Sequence, residues 1–527
     1  MLYQCFSENE WLYPDTVLTG AKTAAAVETA RGASVSFQLL TDAVLAQDTP
    51  VQAEWPGLPA GVKATLYQLH PAHVSENSAA DRLTTLDYES VKHFVTRQAP
   101  FDVYEITRQL DDGILQPGRV GFYVRFDAAA DCAAADYAFA LKLTFGGEEL
   151  NIPVALCVHA CCVPPVQQAG FHMVNWLKTD HVQWQHDVEF PSEEYNAVLD
   201  AYLENELDMR NDYLMLPSGE AIRDENGVVV DFDFSHAICV GNRAIAAGMP
   251  VIMGGFVARF HVWNEPTHYL LWDPEAEVAS FEGYRQLKLY FSKLWKVINE
   301  NGWLGRYQQC LVDEPQFPNS EHYRILSGIC RKFLPGVPIN DPVESSDLEG
   351  ALEVWVVKQA IYEQYIEKFR ALQALGEELW IYTCGFPGGS MMNRIIDLPL
   401  TVSRLPFWMT VAYDCVGFLH WGYNYHNPEL EKDTCYWVDR DEHIAYPAGN
   451  SMVVYPGKGR PEYGVRGHLQ RTGAEDAELL WQLKKQDPAA AAAIIAKVCT
   501  GFDAYDPASE ALEAARHELL CALDALQ

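Results

Sequence analysis

Apolar and polar positions alternate with period two through roughly the first 160 residues. SVSFQLL (34–40), VKATLYQLH (62–70), GRVGFYVRFD (118–127), YAFALKLTF (137–145) and ELNIPVALCVHA (149–160) each read as a strand with one face buried. Gly146-Gly147 between the last two is a hairpin signal. Few helical stripes interrupt them, so the pattern predicts an antiparallel β-sandwich over residues 1–163. The stretch VPPVQQAG (163–170), with paired prolines and no periodicity, reads as a linker.

From Gly170 the rhythm changes to short apolar runs separated by amphipathic stretches, the pattern of βα units. Candidate strands fall at 170–176, 213–219, 250–260, 307–315, 338–342, 352–359, 378–385 and 416–424. Among the helical stretches between them, 281–302 places Leu287, Tyr290, Phe291, Leu294 and Ile298 on one face. This spacing predicts a (β/α)8 TIM-like barrel over residues 164–527, with the helices of the C-terminal tail included in it.

Composition narrows the chemistry. With 72 Asp+Glu against 38 Lys+Arg the net charge is −34, which disfavours nucleic acid and anionic membranes and suits a neutral substrate. No run of about 18 apolar residues is present and the N-terminus lacks a basic-then-apolar leader pattern, so a cytoplasmic protein is expected. The 13 scattered cysteines read as reduced thiols. Neither they nor the histidines fall at a metal-ligand spacing such as HExxH, so neither metal nor cofactor is expected.

The expected barrel strands end in polar and aromatic residues. Trp176 ends the first, and His261 with Trp263 follows the third. Asp313-Glu314-Pro315 closes the fourth, and Asn340 with Asp341 ends the fifth. Tyr382 lies near the end of the seventh, and Trp421 and Asn424 end the eighth. Barrel strand ends converge on one mouth, where carboxylates can act as acid, base or charge stabiliser. Aromatic faces around them suit the C–H side of a sugar ring while polar groups take its hydroxyls. Each of these residues alone is as well explained by packing, or by an acidic helix cap in the case of Asp313-Glu314; the joint pattern favours a small oligosaccharide or glycoside substrate.

The segments LVDEP (311–315), WIYTCGFPGGSMMNRIIDLPLTVSRLPFWMTVAYDCVGFLHWGYNY (380–425) and VRGHLQRTGAEDAELL (465–480) resemble the catalytic region of glycoside hydrolase family 123 and its uncharacterised bacterial relatives. The resemblance covers roughly residues 165–485, and its last element, Arg471 to Asp476, is an inexact match. It implies a β-N-acetylgalactosaminidase-like enzyme working by retaining, substrate-assisted catalysis. Glu314 would be the acid/base and Asp313 the partner that orients the substrate's acetamido group. That division suits neighbouring carboxylates, which have difficulty bracketing a sugar as the acid and nucleophile of an ordinary retaining enzyme, about 5–5.5 Å apart, must do. Tyr382 is the candidate hydrogen-bond donor to the acetamido oxygen. Trp421 and Trp408 are candidate pocket walls, and Trp176, His261 and Asn424 further substrate contacts. Two other readings stay open. One is a glycosidase for a sugar without an acetamido group, with Asp341, Glu344 or Asp414 as nucleophile. The other is a carbohydrate-binding protein without catalysis.

Overall fold

The computed structural model describes residues 1–81, 83–428 and 433–526. The chain divides into two compact units. The first comprises Met1–Phe171, Cys384–Ala412 and Gly422–Gln527; the second, His172–Thr383 and Tyr413–Trp421.

Two sheets build the first unit. One has seven strands in the order Tyr3–Ser7, Ser34–Leu45, Gly118–Ala128, Val62–Val74, Phe101–Gln109, Pro461–Gly464 and Val454–Pro456, antiparallel throughout. The other runs Ala25–Arg31, Glu148–Cys162, Ala135–Phe145, Thr49–Glu54 and Ile114–Leu115. Val35, Phe37, Phe122 and Phe126 of the first sheet share a buried cluster with Phe139, Leu141, Ile152 and Val154 of the second. The period-two pattern arises from this inward-facing set. The hairpin at Gly146-Gly147 is present, with Phe145 opposite Glu148 and both glycines at positive φ. Both φ values suit the tight turn that such a two-residue loop needs.

Three expectations are corrected here. The second sheet is not wholly antiparallel: Ala25–Arg31 pairs parallel with Glu148–Cys162. A reversal at Gly32 (φ +69°) sends this strand straight into Ser34–Leu45 of the other sheet, so its direction is set by that turn. The seven-stranded sheet does not end near residue 160 either, because two of its strands come from residues 454–464. Finally, the tail helices do not belong with the second unit. Helix Val465–Gln486 buries Arg466 completely, where it meets Glu105 at 2.8 Å and donates to the carbonyls of Gly449 and Met452. Glu475 accepts from the Ser34 amide at 3.0 Å. Such buried polar groups must be matched, and Glu105 and Ser34, which match Arg466 and Glu475, lie on strands of the N-terminal region. Amphipathic spacing shows that a helix covers a surface, but not which one.

In the second unit every candidate strand segment contains a strand. These are β1 (His172–Asn175), β2 (Tyr213–Met215), β3 (Val251–Gly254), β4 (Tyr307–Gln309), β5 (Asn340–Val343), β6 (Val354–Lys358), β7 (Glu378–Thr383) and β8 (Gly417–His420). All pair in parallel, as a three-stranded sheet β2-β3-β4 and a curled five-stranded sheet β1-β8-β7-β6-β5. The Asp212 amide donates to Met173 O (3.1 Å) beside β1 and β2, and Gln309 N to Pro338 O (2.9 Å) beside β4 and β5. Helices lie between the strands, including α1 (Glu193–Asp208) after β1 and α2 (Phe281–Glu300) before β4. Ser192 and Ser280 cap their N-termini, each accepting a backbone N–H at 3.0 Å. Among the described residues, no helix is long and apolar enough to cross a membrane.

Candidate active site

Strand β4 is shorter than its apolar run because a side chain takes over from its neighbour. The Leu311 amide donates to both oxygens of Asp341, at 2.8 and 3.0 Å, and Tyr323 donates its hydroxyl to the same carboxylate at 2.7 Å. The chain then turns through Asp313-Glu314-Pro315 alongside the end of β5. Glu314 N donates to Pro342 O (3.1 Å) and Glu344 N to Pro315 O (3.0 Å). Glu314 sits in the left-handed region, with φ +55°. A residue with a Cβ pays about 1–2 kcal/mol there, and such strain gathers where geometry serves function.

This turn sets Glu314 beside the C-terminal ends of β6 and β7. Lys358, the last residue of β6, is in register with Tyr382 of β7. The Tyr382 hydroxyl donates to Glu314 Oε1 at 2.5 Å. The Lys358 ammonium is 3.6 Å from the same oxygen and forms a closer pair with Glu344. Gln316 Nε2 holds the other Glu344 oxygen at 3.3 Å. Asp313 faces Lys178, which follows β1; its ammonium lies 5.8 Å from the centroid of the Trp176 ring.

Three carboxylates here meet two lysines, so full ionisation leaves an unbalanced negative charge. Burial first, then the neighbouring Glu314, pushes the Asp313 carboxyl up to about 7, although Lys178 and Lys358 pull the other way. Asp313 itself is accessible to solvent. Glu314 is also raised, by burial first; Glu344 adds to the rise, while Lys358 and the Tyr382 hydroxyl oppose it. Burial lowers Lys178, with Asp313 opposing. Two adjacent carboxyls that both resist ionisation titrate as a pair rather than independently.

The second unit therefore gathers Asp313, Glu314 and Tyr382, and it also contains Trp176, His261 and Trp421. Trp176 is buried, its ring edge-on to Phe256 at 5.4 Å. Trp421 is half-buried just past β8. His261 lies on an exposed loop, stacked on Tyr269 at 4.0 Å. Of the remaining expected contacts, Trp408 is wholly buried in the first unit on helix Leu405–Ala412, where its indole N–H donates to Asp476 at 3.0 Å. Asn424 is also wholly buried in the first unit, in a bridge with Met452. Of the alternative nucleophiles, Asp341 is buried and held by the Leu311 amide and the Tyr323 hydroxyl, Asp414 is an exposed turn residue at φ +58°, and Glu344 is tied to Lys358. Sequence reasoning missed Lys178 and Lys358. Lys358 ends an otherwise apolar strand, the same signal that singled out the other strand ends.

Paired carboxyls thus lie near parallel strand ends, with two lysines and a tyrosine beside them. Residues 252–483 match the family model described as glycoside hydrolase 123, catalytic domain. In that segment, a little under half of the chain, the protein is similar to the catalytic domain of glycoside hydrolase family 123. A family 123 glycoside hydrolase from Clostridium perfringens, whose structure details glycolipid glycan hydrolysis, matches over 99% of both chains with a TM-score of 0.74 and 10% identity. At that identity the likeness concerns the fold. A GH10 xylanase with a bacterial Ig-like domain, from termite gut, matches 86% of this chain and 99% of its own at 12% identity, but its TM-score is only 0.36. Among curated proteins none matches in sequence.

Proposed function

We propose that this enzyme removes a terminal β-linked N-acetylhexosamine, N-acetylgalactosamine by family resemblance, by retaining, substrate-assisted hydrolysis. The observation that carries this reading is the Asp313–Glu314 pair, two neighbouring carboxyls whose proton affinity is raised by burial. Glu314, held by Tyr382 and Lys358, donates its proton to the leaving oxygen and later takes one from water. Asp313 stays anionic, accepts the acetamido N–H and balances the positive charge as the acetamido oxygen closes on the anomeric carbon. The protein then needs no nucleophile of its own, which agrees with the engagement of Glu344 by Lys358 and of Asp341 by the backbone. Tyr382 would pass its hydroxyl from Glu314 to the substrate's acetamido oxygen, with Trp421, Trp176 and His261 lining the ring. On this reading the three- and five-stranded parallel sheets are parts of one (β/α)8 barrel, and the two sheets of the first unit form a β-sandwich. The glycolipid glycan acted on by the Clostridium perfringens enzyme supports a substrate that is one end of a longer glycan.

The test compares nitrophenyl β-N-acetylgalactosaminide with nitrophenyl β-galactoside, and measures inhibition by a thiazoline mimic of the cyclised intermediate. Turnover confined to the acetamido substrate, with competitive inhibition by the thiazoline, is expected, because the mimic resembles a state the site stabilises above the ground state. Efficient galactoside turnover through an ester trapped on Glu344 would instead establish an ordinary retaining enzyme.

A further inference from the structure

Away from the paired carboxyls, the first unit brings together three side chains that are far apart in sequence. Glu28 lies on strand Ala25–Arg31, His159 on strand Glu148–Cys162, and His517 on the terminal helix Ser509–Asp524. Glu28 Oε2 is 3.2 Å from His159 Nε2 and 2.9 Å from His517 Nδ1, and one ligand atom from each residue falls within 4.8 Å of the other two. We propose that Glu28, His159 and His517 form a binding site for a divalent transition-metal ion, zinc being the best fit to two imidazoles and a carboxylate.

The geometry is close to what a tetrahedral ion requires. Zinc bonds of about 2.0–2.2 Å place ligand atoms roughly 3.3–3.6 Å apart, so both edges from Glu28 need to open by only a few tenths of an ångström. The surroundings are those of a ligating histidine. The other ring nitrogen of His159, Nδ1, lies 2.8 Å from Asp524 Oδ2, and Asp524 is itself fixed by the Cys161 amide, which donates to its second oxygen at 3.0 Å. A carboxylate on the far nitrogen of a metal-bound imidazole sets its tautomer and raises its basicity. Cys521 lies 3.6 Å from His517 Nε2, on the side of the ring away from Glu28, which leaves Nδ1 as the ligand atom. Access is graded: the side chain of His159 is 7% exposed, that of Glu28 26% and that of His517 59%, so an ion can enter from the His517 side and keep water in its fourth position. One ion here would tie the terminal helix to two strands of the five-stranded sheet. A ligand set drawn from positions 28, 159 and 517 has no sequence spacing by which it could be recognised.

The test uses the full chain, freed of metal with a chelator and titrated with zinc chloride by calorimetry. One equivalent should bind, and the melting temperature should rise at about 100-fold excess over the dissociation constant, as for any ligand of the folded state alone. His517→Ala removes an exposed ligand without touching the core and should weaken binding at least about tenfold; Asp524→Asn, removing the group behind His159, should do likewise. Cobalt(II) should give tetrahedral absorption bands in the unaltered protein and lose them in His517→Ala. If the unaltered protein takes up no zinc, or His517→Ala takes it up equally well, the proposal is wrong.

Discussion

Asp476 and Asp313 are both aspartates attended by cations, yet their proton affinities move in opposite directions. Burial pushes Asp476 up, but Arg404 and Arg516 bond its two oxygens at 2.7 and 2.9 Å, Trp408 adds a third donor, and the carboxyl ends below its usual range. Around Asp313 the balance fails. Burial and Glu314 act together, Lys178 and Lys358 do not compensate, and the carboxyl reaches about 7. A carboxylate saturated by guanidinium groups holds the first unit together. Left undercompensated beside another carboxyl, Asp313 instead resists ionisation.

The comparison breaks most readily at Glu314. Glu314→Gln keeps the shape but cannot donate a proton, so hydrolysis of substrates with poor leaving groups should fall by about 10²–10⁴-fold. Aryl glycosides of acidic phenols should lose much less, which rate measurements on a leaving-group series would check. Asp313→Asn should lower kcat by about 10²-fold with ligand affinity largely kept, since its charge acts mainly in the transition state. An unchanged kcat with a slightly lower melting temperature would return the motif to a helix cap. Tyr382→Phe should cost about tenfold or more in kcat/KM, the scale of losing a hydrogen bond to a charged group. Because that hydroxyl lowers Glu314, its loss should also move the alkaline limb of the rate profile to higher pH.

Trp408→Phe sharpens the contrast from the other side. It should destabilise the fold by about 1–3 kcal/mol in a denaturant titration while leaving kcat/KM unchanged. A further effect is on stability against pH. A carboxyl whose affinity rises from about 3.8 unfolded to about 7 folded binds its proton more tightly in the native state. Its contribution is full at low pH and is lost as pH rises from about 4 to about 7. Asp313→Asn should flatten that slope, and a slope unaffected by the substitution would place the proton elsewhere.

Much of this was legible in the chain. Parallel strands buried on both faces read as continuous apolar runs, and each of the eight segments of the second unit holds one. Asp313, Glu314 and Tyr382 stood out because polar residues closing apolar strands are conspicuous. The burial of Trp408 and Asn424 in the first unit was not legible, because it depends on packing that local pattern does not encode. The ring of Arg404, Arg516, Glu8 and Asp476 and the partnership of Arg466 with Glu105 depend on contacts between residues 40 to 396 positions apart, which periodicity does not encode. Lys358 was overlooked because a lysine after VWVV looks like a strand reaching solvent, whereas its ammonium lies between Glu344 and Glu314.

The most direct test is the pH dependence of kcat/KM for the unaltered enzyme and Glu314→Gln, measured on an N-acetylgalactosaminide with an acidic phenol as leaving group. If Glu314 is the acid and Asp313 the anionic partner, the unaltered enzyme should give a bell-shaped profile belonging to the pair. Glu314→Gln should lose the alkaline limb and keep the acidic one. Superimposable limbs in the two proteins would contradict the assignment of the profile to Asp313 and Glu314.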